Sequence, residues 1–257
     1  RDQYVCKKCA LTDFMRQSLY LFILKLRNLL AQKFKQYDAK LPYLITVFIA
    51  LIIVVFGVNV FIELTDTLES DMLNEWDSKI TTYVISHRNP ALTKYFMFVT
   101  DVGDLYGYLI VMGLFVGISY FIFKRWKYVA QTALVLLLAS ISNVILKRFI
   151  DRARPSIEHL VSVETLSYPS GHAMSAMAFY GFLIYLTTQF KINKWAKVAA
   201  ITFLAFILLS IGISRIYLGV HFPSDIAGGF IAGFIWVIFC ILLFNVIELF
   251  RRDPRTH

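Results

Sequence analysis

Six long apolar runs, separated by polar or basic turns, set the pattern of this chain. They fall at roughly Leu41–Leu64, Leu105–Phe123, Tyr128–Leu146, Gly171–Phe190, Val198–Ile213 and Pro223–Phe250. Each approaches the ~20 residues that carry an α-helix across a bilayer, so six membrane-spanning helices are expected. Between the first two runs lies an acidic stretch with Glu63, Asp66, Glu69, Asp71, Glu75 and Asp77, which reads as a loop. Ile80–Ile85 and Leu92–Val99 are interrupted by charges and by Pro90, which predicts short helices rather than spans. In the mixed, basic residues 1–40, Leu19–Leu24 is apolar but too short to span, and it is flanked by Arg16, Lys25, Arg27, Lys33 and Lys35. Such a segment suits a helix lying in the membrane surface or one packed on the end of the bundle. The expected fold class is all-α, a polytopic membrane helical bundle. It comprises an N-terminal segment 1–40, a six-span domain 41–250 and a short tail 251–257.

Composition supports a lipid solvent: 58% of residues are hydrophobic and the mean hydropathy is +0.64. A soluble domain is about 45–50% apolar. The net charge of +9 is explained by topology rather than by nucleic acid. Of the 26 Lys and Arg, nine lie in residues 1–40 and three each in 124–127, 191–197 and the tail. Six spans put all four segments on one side, which the positive-inside rule makes cytoplasmic, with both chain termini. Lys147, Arg148, Arg152, Arg154 and Arg215 then fall on the opposite side, where basic residues need another use. The three cysteines make no disulfide framework. Cys6-Lys-Lys-Cys9 lacks the further ligands of a zinc site, and Cys240 reads as a small packed hydrophobe. No matched pair of interrupted helices points to the inverted repeats of a transporter. Gly229 and Gly233 have the small-xxx-small spacing of close helix packing.

Three polar blocks sit at the ends of apolar runs: K-R-F-I-D-R-A-R-P (147–155), Y-P-S-G-H (168–172) and S-R-I-Y-L-G-V-H-F-P-S-D (214–225). Ionisable groups beside membrane helices are costly and mark function. Cleaving a phosphate ester through a covalent intermediate needs an oriented nucleophile, cations around the phosphoryl oxygens and an acid for the leaving oxygen. His221 is the nucleophile candidate. Asp225, four residues on in the first turn of the last helix, can hold one imidazole N–H and free the other nitrogen. His172 is the candidate acid. Ser170 is a good helix cap, and Gly171 lets backbone approach an anion at a helix N-terminus. Lys147, Arg154 and Arg215 supply a cationic cradle suited to phosphate. Arg148 and Arg152 read instead as headgroup anchors or partners of Asp151, outside the site. His87, His159 and His257 lack partners at useful spacing, and Tyr217 reads as core or lipid-facing.

Each block alone has a bland reading, such as a pinned loop or a capped helix. Together they fit K-x6-R-P, P-S-G-H and S-R-x5-H-x3-D, in that order, and so resemble the signature of the type 2 phosphatidic acid phosphatase family. Relatives of that family include bacterial acid phosphatases and vanadium haloperoxidases. The resemblance implies that Lys147, Arg154, Ser170, Gly171 and Arg215 bind phosphate. It further implies that His172 is the acid, that His221 forms a phosphohistidine and that Asp225 orients it. The implied function is lipid phosphate hydrolysis on the extracytoplasmic side of a bacterial cytoplasmic membrane. Undecaprenyl diphosphate comes first, ahead of phosphatidylglycerophosphate, phosphatidate and lipid A. No cofactor and no metal are implied, because no carboxylate-rich cluster offers Mg²⁺ a seat. A lipid-phosphate flippase would need the cations but not the His221–Asp225 arrangement. A vanadate-dependent peroxidase is disfavoured by the lipid-embedded layout.

Overall fold

A computed structural model describes residues 41–120, 126–162 and 166–252. Residues 1–49 and 50–257 form two compact units, of which the first contributes only the opening turns of one helix to the described residues. The expectations for Cys6, Cys9, the segment 19–24 and His257 lie outside the described residues. The second unit is all-helical among its described residues. The helices in chain order are α1 (Leu41–Asp66), α2 (Asp71–Ser86), α3 (Pro90–Val102), α4 (Leu105–Ile118), α5 (Trp126–Phe149), α6 (Gly171–Gln189), α7 (Lys194–Tyr217) and α8 (Pro223–Arg252).

Local chemistry starts several of these helices. Ser70 Oγ accepts the Leu73 N–H ahead of α2, and Asn89 Oδ1 accepts the Leu92 N–H ahead of α3, where Pro90 takes the first turn. Asn193 caps α7 through the Trp195 N–H at 2.8 Å. The acidic stretch is therefore a loop only from Thr67 to Ser70, with Glu63 and Asp66 still on α1. Beyond it the charges ride on α2, and Asp77 is buried rather than solvated. The short helices expected before the second run are α2 and α3.

Helix α6 is the axis of the bundle and packs against α5, α7 and α8. Met174, Phe179, Tyr180, Phe182 and Leu186 on it are fully or almost fully buried in the main core. Among the described residues, four helices are long and apolar enough to cross a membrane: α1 from Ile45, α5, α7 and α8 to Glu248. The α3–α4 pair, bent by 65° at Gly103–Asp104, makes a fifth if taken as one broken span. The expected six are not confirmed by this count, and α6 shows why. Largely enclosed by protein rather than lipid, it can carry Ser175, Tyr180 and Thr187 at little cost.

The two ends of the bundle differ. At one end the Lys127–Glu248 ion pair, the Tyr128–Phe190 ring contact at 5.5 Å and the Lys197 Nζ–Thr188 O hydrogen bond gather the basic turns. The other end joins the end of α5, the starts of α6 and α8, the end of α7 and the loop 150–170. All three polar blocks meet there.

Glycine sets the approach of α8 to α6. A Cβ on Gly229 would lie 2.7 Å from Ser170 O, and one on Gly233 would lie 2.5 Å from Met174 O. Both obstacles are backbone, so the helices themselves would have to part. Gly233→Ala is expected to cost about 1–3 kcal/mol by overpacking, read as a lower thermal midpoint in detergent. Gly113→Ala, which meets open space, should leave the midpoint unchanged.

Candidate active site

His221 follows the end of α7, in the short turn that leads to Pro223. The turn closes through Gly219, whose φ of +82° is open to glycine and strained for other residues. The Val220 and His221 N–H groups return to Arg215 O. Buried at 2% exposure, the imidazole faces Asp225 Oδ2 through Nδ1 at 3.3 Å. Its Nε2 lies 3.4 Å from Arg154 Nη1. The tautomer with hydrogen on Nδ1 donates to the carboxylate and leaves the Nε2 lone pair toward the guanidinium. Burial pulls the His221 pKa down to about 4, with Arg154 and Arg215 adding to the fall and Asp225 opposing it.

Asp225 stands in the first turn of α8 and is fully buried. Oδ2 accepts the Ser167 hydroxyl and the Phe222 N–H as well as facing His221. Oδ1 accepts from Arg152 Nη1 at 2.7 Å. The Asp225 backbone carbonyl accepts the Ser170 N–H, which ties the start of α6 to the start of α8.

The cations arrive from three directions. Lys147, in the last turn of α5, donates to Leu166 O at 2.6 Å. Arg154, from the loop, donates to Val220 O at 2.6 Å and to Leu166 O at 3.4 Å. Burial lowers its pKa against the pull of Asp225. Arg215, buried near the end of α7, donates to Thr100 Oγ1 of α3 at 2.6 Å. Its Nε has no hydrogen-bond partner among the described residues. A buried donor without a partner is costly and belongs where an anion is to arrive.

His172 lies one residue into α6, and Arg215, His221, Lys147 and Arg154 all act on it electrostatically. Ser170 Oγ caps α6 through the Ala173 N–H at 3.5 Å. Gly171 is closely packed, since a Cβ there would sit 3.0 Å from Asn143 Oδ1. The structure thus brings together His221, Asp225, His172, Lys147, Arg154, Ser170, Gly171 and Arg215. No cluster of three or more His, Cys, Asp or Glu that could hold a metal occurs among the described residues.

Four further residues belong to this centre. Arg152 is not a headgroup anchor or a partner of Asp151: it binds Asp225 and Asp77 in the interior. Ser167, Asp77 and Thr100 each hold a site residue or its partner. Their contacts cross long stretches of chain, and only the uneven charge of the loop and α2 hinted at them. Bland readings held elsewhere. Tyr217 is core, receiving the Asn89 N–H at 3.0 Å and meeting Phe96 at 4.5 Å, and Cys240 is buried in the main core.

A membrane helical bundle with this cluster at one end has the layout of a membrane-embedded phosphatase. Residues 128–248 match the model of the PAP2 superfamily, and that segment carries every motif residue named above. It is 29% identical over 192 residues to phosphatidylglycerophosphatase B of Bacillus subtilis (strain 168), covering 74% of this chain and 90% of the relative. It is 29% identical to a lipid A 4'-phosphatase of Bacteroides thetaiotaomicron and to dolichyldiphosphatase 1 of Dictyostelium discoideum, over 62% of each. Among solved structures it resembles a transmembrane PAP2-type phosphatidylglycerolphosphate phosphatase from Bacillus subtilis. That match has a TM-score of 0.69 at 26% identity and covers 78% of this chain and 98% of the other. Aquifex aeolicus LpxE matches with a TM-score of 0.51 at 25% identity, over 63% and 93%.

Proposed function

We propose that this protein removes a phosphate from a lipid headgroup through a phosphohistidine on His221, without a metal, on the extracytoplasmic side of a bacterial cytoplasmic membrane. The observation that carries this reading is the buried imidazole whose Nδ1 faces a carboxylate while Nε2 opens toward Arg154. His221 Nε2 attacks phosphorus, and the P–O bond to the lipid breaks. His172 gives its proton to the leaving oxygen, and the same imidazole then draws a proton from the water that hydrolyses the P–N bond. Lys147, Arg154 and Arg215, with the Gly171 N–H, neutralise the equatorial oxygens. The basic turns at the far end of the bundle support this side of the membrane.

The lipid tail has a seat. A cavity of about 510 Å³ lies between α4, α5 and α6, walled by Leu105, Leu109, Met112, Leu136 and Leu137, with His172 and Asp104 at its polar end. Asp104 Oδ1 is 3.9 Å from His172 Nε2. A carboxylate there accepts a hydrogen bond from an alcohol-bearing leaving group and repels one that ends in a second phosphate. Phosphate monoesters such as phosphatidylglycerophosphate therefore rank ahead of undecaprenyl diphosphate. Similarity to phosphatidylglycerophosphatase B supports the same order.

The test is phosphate release in detergent, with EDTA, from phosphatidylglycerophosphate, phosphatidate and undecaprenyl diphosphate. Release is expected to be fastest from a monoester and indifferent to EDTA. Asp104→Asn should move the preference toward the diphosphate by about 10-fold, a like-charge effect of roughly 1.4 kcal/mol. Absence of release from every lipid, with tight binding retained in His221→Ala, would leave a lipid-phosphate carrier.

A further inference from the structure

The carboxylate that orients His221 is itself held from behind. Arg152 Nη1 donates to Asp225 Oδ1 at 2.7 Å and to Ser224 Oγ at 2.7 Å, while Nη2 donates to Asp77 Oδ2 at 2.9 Å. Asp77, on α2, accepts the Ser224 N–H on Oδ1 at 2.9 Å and the Ser224 hydroxyl on Oδ2. The guanidinium lies over the Phe222 ring, 4.6 Å from its centroid. The side chains of Arg152, Asp77 and Asp225 are 12%, 3% and 0% exposed.

Two features separate this cluster from a packing device. Buried ion pairs add little stability over apolar side chains of the same volume, so stability alone does not account for two carboxylates about one cation. Both terminal nitrogens of Arg152 are also committed to buried carboxylates, Asp225 by Nη1 and Asp77 by Nη2. What the cluster does fix is geometry. Asp77 seats the first turn of α8 and one arm of Arg152, and the other arm grips the outer oxygen of Asp225. The inner oxygen is left facing His221 Nδ1.

We propose that Arg152 and Asp77 are positioning residues of the hydrolytic site, a relay from α2 to the nucleophile through Asp225. The inference rests on the phosphohistidine reading. Around His221 stand Asp225 on α8, Arg154 from the loop, Arg215 on α7 and His172 on α6, and Lys147 on α5 interacts with Asp225. Arg152 is a cation in direct hydrogen-bond contact with Asp225. Without it, Asp225 favours protonated His221 more strongly, and the acid limb of kcat/KM rises. Without the charge of Asp77, Arg152 acts on Asp225 alone, and the limb stays or falls.

The experiment compares Arg152→Gln, Asp77→Asn and Arg152→Lys with the parent and with His221→Ala, by phosphate release from phosphatidylglycerophosphate between pH 4 and 8. The ionisation of the substrate is common to all, so a difference between limbs belongs to the protein. Arg152→Gln and Asp77→Asn should each lose kcat by about 100-fold, the cost of roughly 1 Å of misplacement, with KM within about threefold. The limb should rise by about half a unit or more in Arg152→Gln alone. Arg152→Lys, the gentlest change, should lose kcat with its limb at the pH of the parent. Parent-like kcat in Arg152→Lys and Asp77→Asn would overturn the relay, and so would a kcat loss in Arg152→Gln with an unmoved limb. A parent chain that releases no phosphate would instead sink the phosphatase reading itself.

Discussion

His221→Ala is expected to reduce phosphate release by at least about 10⁴-fold, because it removes the atom that forms the covalent bond in the proposed mechanism. Binding should survive. Lys147, Arg154 and Arg215 are anchored to Leu166 O, Val220 O and Thr100 Oγ1 by contacts that do not pass through His221, so the cradle persists. Kd for an unhydrolysed lipid phosphate, measured by titration in detergent, should stay within about tenfold of the parent, a range of roughly 1.4 kcal/mol. A mutant that hydrolyses at parental rates would remove His221 from the chemistry. The same residue sets a pH window. With its pKa held near 4, the free-enzyme imidazole is neutral and nucleophilic down to about pH 5. The ordinary value of ~6.5 would have cut the nucleophile off a full pH unit or more earlier. The folded value lies below the unfolded one, so the stability tied to neutral His221 is present above about pH 6.5 and is lost as pH falls toward 4. Thermal midpoints of the parent should therefore decline across that interval more steeply than those of His221→Gln.

Asp225→Asn is the second large effect. The carboxylate accepts from His221, Ser167 and Phe222 on one oxygen and from Arg152 on the other. An amide cannot accept at both positions. Turned with its NH₂ toward His221, it donates to Nδ1 and forces the proton onto Nε2, which blocks the attacking lone pair. Turned the other way, it points an N–H donor at the guanidinium. Activity should fall by about 10³- to 10⁴-fold, as in other sites where an orienting carboxylate becomes an amide. Stability should fall by about 3–5 kcal/mol, because Arg152 loses a buried partner. Together these readouts separate Asp225 from a loop pin, which would lose stability alone.

The motif residues were legible because each block keeps its chemistry within a few positions. Asp225 is one helical turn from His221, Ser170 abuts Gly171 and His172, and Arg154 precedes a proline. Arg152 was misread for the opposite reason. Its sequence neighbour Asp151 offered a partner, whereas its actual partners are 73 and 75 residues away. Asp77 was taken with its acidic neighbours as a solvated loop, although Ser70 and Asp71 start a helix that turns Asp77 and Thr81 inward. The six-span count is left unconfirmed at α6 and at the α3–α4 bend. Hydropathy measures affinity for lipid, and a helix enclosed by protein need not have it. The apolar cavity beside His172 was also out of reach, since three separate helices build it.

The most direct measurement is to mix purified protein with a lipid phosphate carrying ³²P in its terminal phosphate, quench within milliseconds and recover the protein. A phosphohistidine mechanism predicts label on the parent chain that is stable to alkali and lost in acid, and that is absent from His221→Gln. Label that persists in His221→Gln, or turnover by the parent with no labelled protein at any quench time, would contradict it.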